Sequence, residues 1–224
     1  MIVVAAVCPH PPLLVPELAA GAAGELDDLR RACDEAVGAL ATAEAVVAVG
    51  GDDHRAWTGF APFGVEVPAG VDRPVPLSLL VGTWLLRRAG MSAEPVTVDV
   101  DAEPQACVRL GERLAADPRR LGLLVLGDGS ICRGVRAPGY DDPRAPGYDA
   151  RVSRALADVD TDSLLALDPG LSAELGVAGR AAWQVAAAAV WASGGGWAGR
   201  VLYDAAPYGV GYLVATWVAE GAAG

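Results

Sequence analysis

The run Ile2-Val3-Val4-Ala5-Ala6-Val7 is β-branched and alanine, without charge, and it leads straight into Cys8-Pro9-His10-Pro11-Pro12. A run that is apolar at every position suits a strand buried on both faces of a sheet. Three prolines in four residues cannot continue a ladder, so the strand must end there. His10 is therefore expected on a stiff loop at the carboxyl end of a first strand, the edge of an open α/β sheet where ligands bind. Only one other histidine, His54, occurs in the 224 residues.

The rest of the chain alternates between helical and strand patterns. An amphipathic helix is expected over 25–40, and a second buried strand over 45–49 that ends in the loop Gly50-Gly51-Asp52-Asp53-His54. The proline- and glycine-rich segment 59–76 reads as irregular, with a short extended piece at 64–67. A helix over 77–89, closed by Gly90, precedes a strand over 95–100 and a helix over 103–116 with Pro104 in its first turn. The apolar run 121–126 is a further strand, ending in Gly127-Asp128-Gly129-Ser130.

Next comes an internal repeat, Arg136-Ala137-Pro138-Gly139-Tyr140-Asp141 and then Arg144-Ala145-Pro146-Gly147-Tyr148-Asp149. A helix is expected to start at the second copy, over 148–157, leaving the first as a local loop duplication. Short helices are expected over 161–167 and 171–175, a buried alanine-rich one over 181–193, and strands over 200–204 and 210–218. Together these elements imply one α/β domain over 1–224. It should be a three-layer α/β/α sandwich with a mostly parallel central sheet and a C-terminal antiparallel edge hairpin.

Charge and composition remove several function classes. The net charge of −11 argues against a nucleic-acid partner. All positive charge is arginine, so Schiff-base and P-loop lysine chemistry are excluded. Cys8, Cys33, Cys107 and Cys132 show no paired spacing, which fits reduced thiols better than disulfides or structural zinc. No apolar run has the length of a membrane span, and the first residues lack a basic leader, so a cytoplasmic location is expected.

At the carboxyl edge the pattern would gather His10, Asp52, Asp53, His54, Asp128 and Ser130. Two imidazoles and a carboxylate on one face, with open positions left for substrate and dioxygen, suit divalent iron. Ser130 has no adjacent histidine and makes a poor triad nucleophile. Gly127-Asp128-Gly129-Ser130 offers either an anion cradle or a tight turn.

Several runs together resemble the class III extradiol ring-cleavage dioxygenases of the LigB-like superfamily, which also contains the Memo proteins. They are Cys8-Pro9-His10-Pro11-Pro12-Leu13-Leu14, Gly127-Asp128-Gly129-Ser130, 164–169 running on to Glu174-Leu175-Gly176, and Pro207-Tyr208-Gly209-Val210-Gly211-Tyr212-Leu213-Val214. The resemblance implies a ferrous ion held by His10, His54 and Glu174. Its substrate would be a catecholic or related aromatic molecule cleaved with O2, with Pro11, Asp128, Ser130 and Tyr208 shaping the pocket. The rich apolar content and acidic balance are compatible with a homodimer, and the resemblance adds a small second subunit, as some family members have.

Two positions depart from the family pattern. Gly50-Gly51 stands where relatives carry Pro-His, and Ile131 stands where active relatives carry an acid/base histidine; loss of such a group typically removes about 10²–10⁴-fold in rate. Asp128, Cys132 and Tyr208 are the substitutes at hand. Three readings follow: an iron(II) extradiol dioxygenase, a Memo-like binding or regulatory protein that has lost turnover, and a metal-assisted hydrolase built on Asp52, Asp53 and His54.

Overall fold

In the computed structural model, which describes residues 1–221, six strands form one sheet. Residues 222–224, the end of the expected 1–224 domain, lie outside the described residues. The strands are β1 (Ile2–Cys8), β2 (Ala45–Asp52), β3 (Glu94–Asp99), β4 (Leu121–Leu126), β5 (Trp197–Ala205) and β6 (Tyr212–Ala219). Their order across the sheet is β3-β2-β4-β1-β6-β5. The first four run parallel, while β6 is antiparallel to both β1 and β5. The C-terminal hairpin thus closes one side of the sheet with β5 at the edge.

The helices are α1 (Pro16–Ala19), α2 (Asp27–Ala39), α3 (Leu77–Arg88), α4 (Pro104–Ala115), α5 (Ala145–Asp158), α6 (Thr161–Leu165), α7 (Pro169–Glu174) and α8 (Arg180–Ser193). Two apolar cores lie on opposite faces of the sheet, as successive side chains of a strand must arrange them. Ala5, Val7, Val49 and Val125 pack with α5 and α8, whereas Val4, Ala6, Ala48 and Leu124 pack with α2 and α3. The result is the α/β three-layer arrangement expected from the sequence.

The alanines of α8 are explained by its position, since every residue from Arg180 to Val190 is buried. Small side chains let α4 come close: a Cβ at Gly111 would stand 2.5 Å from the Val185 carbonyl oxygen and 2.6 Å from the Ala188 Cβ. None of the helices of the described residues is long and apolar enough to cross a membrane.

Two local expectations are corrected. β2 continues through Gly50, Gly51 and Asp52, because Thr97, Val98 and Asp99 of β3 pair with them. Segment 64–67 forms no strand; this region is instead closed by an isolated bridge between Trp57 and Val75, with N–H···O distances of 2.8 and 3.0 Å.

Candidate functional site

Adjacent parallel strands bring their carboxyl-end loops together, and here β1 and β4 do so. The Gly127 N–H donates to the Cys8 carbonyl at 3.0 Å, carrying the pairing one step past both strands. The His10 N–H then donates to Asp128 Oδ1 at 2.8 Å. His10 Nδ1 lies 3.7 Å from the same oxygen, too long for a hydrogen bond but close enough for attraction if the ring is protonated. Nδ1 is buried without a hydrogen-bond partner among the described residues, so what exposure the ring keeps lies elsewhere on it. Pro11 is buried and its carbonyl accepts from Leu14 N–H at 3.0 Å, which fixes the loop from its far side.

The Asp128 loop is clasped to the start of β6. Gly129 N–H donates to the Gly211 carbonyl at 2.7 Å, and Gly211 N–H returns to the Ser130 carbonyl at 2.8 Å. Beneath this clasp sits Asp149 of α5, 1% exposed, whose Oδ1 accepts from Ser130 N–H at 2.9 Å. Its Oδ2 has no hydrogen bond, with Arg133 Nη1 at 3.6 Å. Burial pushes the Asp149 carboxyl up to about 6, against the opposing pull of the Ser130 N–H and Arg133. Tyr212, 3% exposed at the head of β6, has its hydroxyl raised by burial and then by the nearby Asp128 carboxylate.

Ser130 is wholly buried and its hydroxyl accepts from Cys132 N–H at 3.0 Å, so it caps a turn. Ile131 packs against Gly176, while its N–H donates to the Leu175 carbonyl at 3.0 Å. Cys132 is buried with its thiol raised by desolvation, and its Sγ lies 3.6 Å from the Leu175 carbonyl. Tyr208 donates its hydroxyl to Glu25 at 2.9 Å beside a separate surface cavity that Arg133 and Arg136 also line.

The remaining two expected metal ligands are held elsewhere. The side chain of Asp52 accepts His54 N–H at 2.8 Å, turning the chain so that His54 takes a left-handed φ of 62°. Its side chain is 73% exposed, with Nε2 3.2 Å from Asp99 Oδ2. Glu174, at the end of α7, is 60% exposed and pairs with Arg144 at 2.7 Å. Asp53 is engaged with Arg55 at 2.7 Å. Among the described residues no three His, Cys, Asp or Glu side chains are placed to hold one metal ion.

No family model matches this chain, and no curated protein matches it. The solved structure titled "Crystal structure of uncharacterized protein JW3007 from Escherichia coli K12" is similar in fold. The TM-score is 0.54 at 16% identity, over 96% of this chain and 99% of that one. That likeness bears on the fold alone.

The three expected ferrous ligands, His10, His54 and Glu174, are thus not brought together as these side chains stand. Such a site needs two imidazoles and a carboxylate on one face, and here one imidazole shares a corner with Asp128 while the other stands on an exposed turn. What the arrangement does offer is a half-buried imidazole beside a carboxylate, with a tyrosine at the head of the next strand. Asp149 and Tyr212 were not among the site residues expected from sequence. The signal for Asp149 was its place in the repeat copy that opens a helix; that for Tyr212 was the run Pro207–Val214, from which only Tyr208 was singled out.

Proposed function

We propose that the protein binds a small aromatic molecule at the corner formed by His10, Asp128 and Tyr212, as a relative of the extradiol dioxygenases that keeps the fold without ring-cleaving turnover. One observation carries the reading: the two side chains that would complete an iron site with His10 are engaged by other partners, His54 with Asp99 and Glu174 with Arg144. Ile131, at the acid/base position, has no proton to give and packs against Gly176. An imidazole edge, a carboxylate and a phenol suit a planar ligand carrying hydroxyl groups, since each can donate to or accept from a hydroxyl.

The test is anaerobic purification with ferrous reconstitution, followed by elemental analysis, oxygen uptake on a panel of catechols, and calorimetric titration with catechol. The expected result is iron well below one per chain, no oxygen uptake, and catechol binding that His10→Ala abolishes. Near-stoichiometric iron lost in His10→Ala, with oxygen uptake on any catechol, overturns the proposal in favour of ring cleavage. Catechol binding unchanged by His10→Ala overturns the site.

A further inference from the structure

Away from the carboxyl-edge corner, a cavity of about 510 Å³ lies between α3, the outer strands β2 and β3, and the segment 70–75. Its walls include Val71, Val75, Leu79, Leu86 and Met91, and its volume is within the range of small-molecule sites. Two guanidinium groups, Arg73 and Arg87, and one carboxylate, Asp72, line the same space. Neither guanidinium group makes a hydrogen bond or ion pair among the described residues. Arg88, the next residue along α3, shows the contrast: it is held by Asp34 at 2.8 Å and lies over the Trp84 ring at 4.9 Å.

The position of Arg87 is built into the backbone. Gly70 has a φ of 81°, and a Cβ there would stand 2.0 Å from Arg87 Nη1 and 2.3 Å from its Cδ. The absent side chain lets Arg87 lie across the loop at the cavity rim. Arg73 also lines an adjoining cavity of about 320 Å³ that continues past Pro95 toward Asp52 and Thr97, so it stands where the two spaces meet. β3 is the edge strand, but Pro95 lacks an N–H and Glu94 and Asp99 flank it, which discourages an added peptide strand. The occupant favoured is thus a small molecule.

We propose that this cavity binds an amphipathic carboxylate, its apolar body along Val75, Leu79 and Leu86 and its carboxylate between Arg73 and Arg87. In a chain of net charge −11, two exposed guanidinium groups against one carboxylate, Asp72, leave the rim of an apolar cavity locally positive, which attracts an anion that the net charge repels. Arginine is also the side chain whose donor geometry matches a carboxylate. The site shares no residue with the His10 corner, so its failure leaves that reading untouched.

The probe is octanoate, titrated into the full chain by calorimetry, with octan-1-ol as the uncharged control and an Arg73→Gln/Arg87→Gln variant checked for an unchanged unfolding midpoint. Octanoate is expected to bind one per chain, roughly tenfold or more tighter than octanol, and the double variant to lose that preference while still taking up octanol. Equal binding of octanoate and octanol, octanoate binding unchanged in the double variant, or no octanoate binding at millimolar concentration each overturns the proposal.

Discussion

The two copies of Arg-Ala-Pro-Gly-Tyr-Asp are the same six residues, and they fold differently. In the first, Tyr140 is 95% exposed and the backbone is irregular. In the second, Tyr148 is 3% exposed and Asp149 1%, in the first turns of α5. Intrinsic propensity is identical in both, so the flanks and the neighbours decide. After the first copy comes Asp142-Pro143, and a proline there cannot continue a helix begun at Ala137. The second copy is followed by Val152, Ala155 and Leu156, whose spacing puts all three in the core beneath the sheet. Asp142 also accepts Arg144 N–H at 2.8 Å, turning the chain into that helix. The lesson is that the repeat supplies one buried acid to the candidate site and one surface loop beside it.

The largest way to break the comparison is at the tyrosines. The Tyr148 hydroxyl shares a 2.7 Å hydrogen bond with the Ser172 hydroxyl, and its ring is in the core. Tyr148→Ala should destabilise by about 3–5 kcal/mol, the scale for deleting a buried aromatic. Tyr140→Ala should change stability by less than about 0.5 kcal/mol. Urea unfolding of the two variants checks this, and equal losses would mean that the copies share an environment.

The aspartate sharpens the same contrast through pH. Burial raises the Asp149 carboxyl from 3.8 to about 6 in the folded chain. Between these values the folded state keeps a proton that the unfolded state releases, so stability falls as pH rises across that window and is flat above it. A shift of that size corresponds to a loss of up to about 3 kcal/mol between pH 4 and 6. Asp149→Asn keeps an acceptor for the Ser130 N–H and removes the ionisation. Its unfolding free energy measured against pH should lack the component seen in the wild type, and the same slope in both would place the carboxyl in a solvated setting.

These particulars also show what could be read beforehand. β1 and β4 were legible because a strand buried on both faces writes its burial into every residue, and their observed ends lie within one residue of expectation. α4 was legible from Pro104, which stands at its first position. The end of β2 was not, because Gly50-Gly51-Asp52 carries turn residues and its strand character comes from β3, where Thr97, Val98 and Asp99 lie 47 residues further along the chain. For the site, His10 and Asp128 were expected at one sheet edge and meet there. His54 was placed on the same edge by its loop, but a local aspartate turn directs it to Asp99 and solvent. Asp149 was hidden because a sequence repeat makes its two aspartates look equal, and only the packing of α5 tells them apart.

The smallest test changes sign between the copies. Gly147 lies in the first turn of α5 with nothing within 4 Å of where a Cβ would be. Gly147→Ala should therefore stabilise by up to about 1 kcal/mol, because alanine loses less backbone entropy than glycine on entering a helix. At Gly139 a Cβ would stand 2.7 Å from Cys132 Sγ and 3.0 Å from the Ile131 carbonyl oxygen. Both neighbours are fixed, the sulfur by burial and the carbonyl by the 3.0 Å hydrogen bond it accepts from Gly139 N–H itself. Gly139→Ala should destabilise by about 1–3 kcal/mol, as overpacking does. Thermal unfolding of the pair measures both shifts at once. Opposite signs would show that one hexapeptide is read in two ways by its surroundings, and a shared sign would mean that its conformation is set within the repeat.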